Sequence, residues 1–211
     1  LSMAQVGRTD EAIGHFMMEI TSYPDHAAAH RELGLAFGHA GKLQEAVNHL
    51  SESARLNALQ PDANFELGHA LIQLDRIADA RDAIDRGLRI GAGTPQAHFD
   101  LGVIAYRTGQ TDAAIEHYAR AAALNPNYVQ AHFNCGAMLM QTGKTADAIS
   151  RFREVIRIMP DYAPAHGILG FTFFGQGKIM EAAYHSAEAL RLNPDDAQSR
   201  QILEMIAKQK K

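Results

Sequence analysis

Histidines are the residues of this chain best suited to chemistry, because a neutral imidazole is the commonest metal ligand in proteins. The 211 residues include eleven of them, and eight fall into two sets of regularly spaced positions, which we call columns. One column holds His30, His98, His132 and His166, and the other holds His15, His49, His117 and His185. Members of one column are separated by 34 residues or by a multiple of 34.

This spacing does not suit a metal site. If successive 34-residue units pack as helices side by side, equivalent histidines lie about 10 Å apart. The ligands of one zinc ion must bring their coordinating atoms to within about 4 Å of one another. We therefore predict half-buried histidines with a packing role in both columns, and no metal.

Other catalytic chemistry has no support in the sequence. The single cysteine, Cys135, has apolar neighbours and is predicted to be a small core residue. One cysteine forms neither a disulfide framework nor a multi-cysteine zinc site. The sequence contains no phosphate-binding glycine loop, no HExxH helix and no Gly-x-Ser-x-Gly turn. We predict no catalytic residues and no cofactor, so the chain is expected not to be an enzyme.

Composition and charge exclude further classes of function. Twenty basic and twenty-four acidic side chains leave a formal charge of −4, so we expect no nucleic acid partner, which a basic face would bind. No stretch approaches the roughly 20 apolar residues that span a bilayer, so we expect no membrane insertion. The start of the chain has no signal-peptide pattern. The compartment stays open, with the cytoplasm favoured.

A repeat organises the whole sequence. Five glycines stand 34 residues apart, at Gly34, Gly68, Gly102, Gly136 and Gly170. A turn residue follows each glycine after seven positions, at Gly41, Asp75, Gly109, Gly143 and Gly177. Alanine follows after twelve, at Ala46, Ala80, Ala114, Ala148 and Ala182. A period of this length is typical of a stacked repeat array.

Each unit is predicted to contain two helices. In the third unit the small and apolar residues around Gly102 recur at steps of three and four, which is one face of a helix. Gly109 ends that helix, because glycine readily adopts the left-handed conformation. A second helix begins near Asp112, and Pro126 ends it. Asp75 replaces the turn glycine in the second unit, where aspartate tolerates the left-handed conformation better than most residues.

These residues resemble the tetratricopeptide repeat family. The residues that match its motif in the third unit are Leu101-Gly102, Ala105, Ala114, Tyr118, Ala121 and Pro126. Asn57-Ala58 and Gly91-Ala92 depart from the motif, since both lack the late proline. The resemblance implies an all-α, right-handed solenoid of stacked helix-turn-helix repeats.

The resemblance covers almost the whole chain as one domain, 1–211. A partial repeat occupies 1–26, and five full repeats are predicted at 27–60, 61–94, 95–128, 129–162 and 163–196. The remainder, 197–211, is predicted to be a helix that covers the last repeat, with Lys210 and Lys211 facing outward.

The resemblance also implies a concave groove lined by the first helix of each repeat. Positions one, three, four and seven residues apart share that helical face. Aromatic and apolar residues form one side of the groove, and carboxylates form another in its first half. The predicted peptide-binding residues are Glu32, Phe65, Glu66, His69, Phe99, Asp100, Tyr106, Arg107, Phe133, Asn134, Met140 and Phe174.

We expect a non-catalytic interaction module or scaffold that binds a peptide segment of a partner protein. The acidic and aromatic groove suits a peptide with basic and apolar side chains. Two alternatives stay open. The chain could be the recognition arm of a larger enzyme such as a glycosyltransferase, or it could self-associate as a homo-oligomer through its open amino-terminal edge.

Overall fold

A computed structural model of the protein describes residues 3–209, with side chains from 8 to 208. The outermost parts of the predicted first and last segments, including Lys210 and Lys211, lie outside the described residues. Within the described range there are twelve α-helices and no strand. The helices are α1 Met3–Ser22, α2 Ala27–His39, α3 Leu43–Leu56, α4 Asp62–Gln73, α5 Ile77–Ile90, α6 Pro95–Arg107, α7 Thr111–Leu124, α8 Val129–Gln141, α9 Thr145–Ile158, α10 Ala163–Gly175, α11 Ile179–Leu192 and α12 Ala197–Gln209.

The chain forms two compact units, Leu1–Ala113 and Ala114–Lys211. In the first unit α2 packs on α3 and α4 packs on α5, while α1 packs on α2 and α6 packs on both α4 and α5. In the second unit α8 packs on α9 and α10 packs on α11, and α12 packs on α10 and α11. The predicted all-α fold of helical hairpins that contact their neighbours is confirmed within each unit.

The turns inside the hairpins form where the sequence predicts them. Gly41 has φ +74° and Asp75 has φ +60°, both in the left-handed region. At the first of these turns the N–H of Gly41 donates to the carbonyl of Gly38, and the N–H of Lys42 donates to the carbonyl of Phe37 at 2.9 Å. These bonds satisfy two of the last carbonyls of α2 and reverse the chain.

Glycine in the first helix lets the second helix of the hairpin approach closely. A β-carbon added at Gly34 would lie 2.7 Å from Cγ of Leu50, and one added at Gly68 would lie 2.4 Å from Cγ1 of Ile84. Leu50 is 2% exposed and Ile84 is fully buried. The large residue of the second helix therefore fills the space that the glycine leaves, as close packing in protein interiors requires.

Among the described residues, no helix combines the length and the apolar character that crossing a bilayer requires.

The close contact at the column glycine predicts that a glycine-to-alanine substitution changes stability differently at Gly68 and at Gly14. Gly68→Ala should destabilise the protein by about 1–3 kcal/mol, because the added methyl group overpacks Ile84. Gly14→Ala should be neutral or stabilise by up to about 1 kcal/mol, because Gly14 lies inside α1 with nothing within 4 Å of the added atom. Urea unfolding followed by circular dichroism measures both, and equal effects would contradict the packing argument.

Candidate functional site

In the first unit, the predicted acidic residues are engaged in internal bonds. Arg31 Nε donates to both carboxylate oxygens of Glu66, at 3.1 and 2.9 Å, and Nη2 of Arg31 also contacts Oε1. Nη1 of Arg31 donates to Glu32 at 3.3 Å. The bond to Glu66 raises the pKa of Arg31, whereas burial raises the pKa of the Glu66 carboxyl and Arg31 opposes that rise. Glu66 is therefore held in place by its arginine.

Asp100 lies beneath a histidine and a glutamine. The sequence places it on an open groove, but its side chain is buried, with a residue exposure of only 2%. His69 Nδ1 lies 3.1 Å from each of its oxygens, and Gln96 Nε2 donates to Oδ1 at 2.9 Å. The hydrogen bond to Asp100 raises the pKa of His69. Asp100 therefore orients His69 and Gln96 instead of meeting solvent directly.

Phe65 is mainly a packing residue. It is 5% exposed, and a β-carbon added at Gly87 of α5 would lie 2.5 Å from its Cε1. The missing side chain at Gly87 leaves space for the ring, so little of Phe65 reaches the groove. This burial differs from the expected aromatic wall of the groove, and its cause is a glycine that does not belong to the 34-residue column.

Three of the twelve predicted residues, Phe65, Glu66 and His69, border an open cavity of about 350 Å³. We name it the α2–α4–α6 cavity; it is lined by Leu35, Asp62, Phe65, Glu66, His69, Thr94 and Gln96. The Thr94 hydroxyl caps α6 by accepting from the N–H of Ala97 at 3.0 Å. Sequence reasoning missed Leu35, Asp62, Thr94 and Gln96. Leu35 could have been found, because it follows the column glycine directly.

The other predicted residues of the first unit lie outside this lining. Arg107 Nη1 donates to Asp75 at 2.8 Å, which ties it to the turn of the preceding hairpin. Tyr106 is 55% exposed on α6, and Phe99 on the same helix is half-buried.

In the second unit, the predicted residues are all half-buried. Phe133 packs edge-on against Phe152 and Tyr162, with ring centroids 5.5 and 5.3 Å apart. Asn134 and Met140 lie on the same helix, α8, and Phe174 lies on α10. Phe133 thus has a packing role, and a binding role for these four residues stays a prediction.

The two histidine columns meet inside hairpins, which the sequence analysis did not anticipate. The Nδ1 atoms of His30 and His49 are 3.1 Å apart, and those of His166 and His185 are 3.2 Å apart. Nε2 of His30 and of His166 lies 3.0 Å from a proline carbonyl. A carbonyl can only accept, so Nε2 carries the proton and Nδ1 accepts from the partner histidine. The bond therefore requires that Nδ1 of His30 and of His166 carries no proton.

No group of three or more metal-ligating side chains occurs among the described residues.

The pairing of the histidines makes the stability of the protein sensitive to acid. Burial and the neighbouring His166 lower the pKa of His185 to about 4. Burial and His30 likewise lower the pKa of His49.

The His166–His185 pair predicts a loss of stability in acid. Between pH about 6.5, the pKa of an unfolded histidine, and about 4, the unfolded chain binds a proton that native His185 does not. The free energy of unfolding should therefore fall by about 1–2 kcal/mol from pH 7 to pH 5 through this group.

The second repeat supplies the variant that tests this, since Asn64 and Ala83 occupy the two equivalent positions. His166→Asn with His185→Ala should make the dependence of the urea midpoint on pH shallower. An unchanged dependence would show that the pair does not cause it.

The His69–Asp100 bond predicts a pH dependence of the free energy of unfolding that is opposite to that of the histidine pair. A raised native pKa means that the bond stabilises fully below about pH 6.5 and that this contribution disappears as the pH rises through the native value. Asp100→Asn should lower the pKa of His69, measured by NMR titration of its ring proton. Asp62→Asn removes a carboxylate of the same cavity that does not bond His69, and it should leave the titration nearly unchanged. If both variants behave alike, the bond is not the cause.

Models of the tetratricopeptide repeat match residues 4–61 and 39–99, and a model described as a TPR repeat matches residues 102–143. No curated protein sequence matches the chain.

Solved structures share the fold. YrrB, described as a TPR protein with an unusual peptide-binding site, is 22% identical with a TM-score of 0.73, over 88% of this chain and 96% of that one. PilF of Pseudomonas aeruginosa is 14% identical with a TM-score of 0.80, over 96% of this chain and 92% of that one. MamA is 22% identical with a TM-score of 0.68, over 79% of this chain and 97% of that one. At these identities the likeness concerns the fold alone. The three family models and the hairpin architecture together show that the chain belongs to the tetratricopeptide repeat family.

Proposed function

We propose that the protein is a non-catalytic interaction module that binds a peptide segment of a partner protein in the α2–α4–α6 cavity. The observation that carries this proposal is the cavity itself, about 350 Å³ of open space bordered by apolar and acidic side chains. Leu35 and the exposed part of Phe65 provide an apolar surface, and Thr94 and Gln96 provide polar groups. A few polar groups around an apolar hollow are typical of binding sites.

The charges around the cavity indicate the chemistry of the peptide. Four carboxylates influence this region, and they belong to Glu32, Asp62, Glu66 and Asp100. Among the described residues, the basic side chains bonded to them are Arg31 and His69. Negative charge is therefore in excess, which supports a peptide that carries a basic side chain next to an apolar one. YrrB is itself described as having a peptide-binding site, which supports a peptide as the occupant here.

The carboxylates differ in how they would act on such a peptide. Glu66 and Asp100 are bonded internally, so reversing their charge would break the site as well as change its charge. Glu32 and Asp62 are more exposed. Asp62 lines the cavity, whereas Glu32 accepts from Arg31 and lies outside the lining. We therefore assign direct contact with a basic side chain to Asp62, and a supporting role to Glu32, Glu66 and Asp100.

Selection from a random-peptide display library on the purified chain tests the proposal. Peptides with lysine or arginine beside an apolar residue should be enriched, and Leu35→Ala should weaken their binding by roughly tenfold, about 1.4 kcal/mol. Fluorescence anisotropy with a labelled selected peptide measures this.

Leu59→Ala is the matched control, because Leu59 is 85% exposed and does not line the cavity. It should leave affinity within twofold of the original. A selection that enriches no peptide, or peptides whose affinity does not depend on Leu35, would contradict the proposal.

A further inference from the structure

A second cavity of the first unit lies between α3, α4 and α5 and has a volume of about 440 Å³. We name it the arginine pocket. Three arginines, Arg55, Arg86 and Arg89, line it together with Asn64, Leu67 and Ile90. It shares no lining residue with the α2–α4–α6 cavity. At 3.6 residues per turn, Asn64 and Leu67 lie on the side of α4 opposite to Phe65 and Glu66.

The arginines of this pocket depart from a pattern that three of the five repeats keep. In three second helices a glutamate precedes an arginine by three positions and pairs with it, in Glu52–Arg55, Glu154–Arg157 and Glu188–Arg191, at 2.9, 2.8 and 3.0 Å. In α5 the glutamate is replaced by Arg86, which precedes Arg89. Two guanidinium groups therefore lie one turn apart where these three helices have an ion pair.

No carboxylate among the described residues forms an ion pair with Arg86 or Arg89. Asp82 and Asp85 precede them by four positions, yet neither pairs with them. Arg86 donates through Nε to Oδ1 of Asn64 at 3.3 Å, and Asn64 is 4% exposed. This bond anchors the guanidinium of Arg86 at the pocket and leaves its two Nη groups to donate elsewhere.

The third arginine approaches from another helix. Arg55 belongs to α3, and its side chain is 64% exposed while it pairs with Glu52. The pocket thus presents guanidinium groups from two helices, α3 and α5. Leu67 and Ile90 add apolar surface beside them.

We propose that the arginine pocket binds a phosphate monoester whose phosphate is attached to an apolar group. Guanidinium groups bind phosphate through paired hydrogen bonds. A phosphate has three free oxygens in different directions and can accept from α3 and α5 together, whereas a carboxylate has two oxygens in one plane. Its charge of about −2 also matches the two unpaired arginines. The apolar surface holds the attached group.

Titration with phenyl phosphate, at constant ionic strength maintained with sodium chloride, tests this by NMR of the arginine Nε–H groups. The signals of Arg86 and Arg89 should shift and saturate. Inorganic phosphate should bind severalfold more weakly, because it leaves the apolar surface unused. Phenol should not shift these signals. Absence of a saturable shift with phenyl phosphate, or an equal shift with phenol, would overturn the proposal, and equal binding of inorganic phosphate would overturn the role of the apolar surface.

Arg86→Glu is the decisive variant, because it restores the glutamate that three other helices carry and allows an ion pair with Arg89. It should fold and should weaken phenyl phosphate binding at least tenfold. Arg120→Glu is the matched control: Arg120 occupies the equivalent position of α7, and alanine, Ala123, follows it three positions later. It changes the net charge equally and should leave binding within twofold. Equal weakening by both variants would show a general charge effect and overturn the site.

A short peptide that contains phosphotyrosine among alanines distinguishes two sources of the phosphate, a phosphorylated protein segment and a small phosphate ester. Tighter binding than phenyl phosphate assigns the pocket to a phosphorylated protein segment, and equal or weaker binding assigns it to a small phosphate ester. Either result keeps the phosphate site. Since Arg86→Glu leaves the α2–α4–α6 cavity untouched, the outcome is independent of the peptide-binding proposal.

Discussion

Close approach of two helices at a glycine is the constraint on which the hairpins of this protein depend. Gly34 receives Leu50, and Gly68 receives Ile84, at distances that leave no room for a β-carbon. This contact fixes which face of each helix is turned toward the other and buried. Where the large residue is missing, the contact persists with another partner, as Gly170 meets Ser186.

Two sides of α4 border cavities of different character. In α4 one side borders the α2–α4–α6 cavity and the other borders the arginine pocket. The two cavities have opposite electrostatic character, one with carboxylates in excess and one with unpaired guanidinium groups. A repeat protein can develop such different surfaces because its stability comes from contacts between neighbouring hairpins, so the outer positions are free to vary.

Polar side chains in the first unit show a common arrangement, in which a buried or half-buried charge is held by a neighbour from the next repeat. Arg31 of the first full repeat binds Glu66 of the second, and His69 of the second binds Asp100 of the third. These bonds lower the cost of placing carboxylates in a partly apolar surface. They also orient the groups that remain exposed, so the site is preorganised.

The sequence by itself determined the period, the number of helices in each repeat and the turn residues. These are local or periodic properties, and each recurs every 34 residues. Even the left-handed conformation of Asp75 could be predicted from its column. Only the tertiary structure decided which polar side chains meet. His30 with His49, Arg31 with Glu66 and His69 with Asp100 are separated by 19, 35 and 31 positions. Their bonds, like the burial of Phe65 against Gly87, depend on side-chain directions, which the 34-residue pattern of residue types does not give.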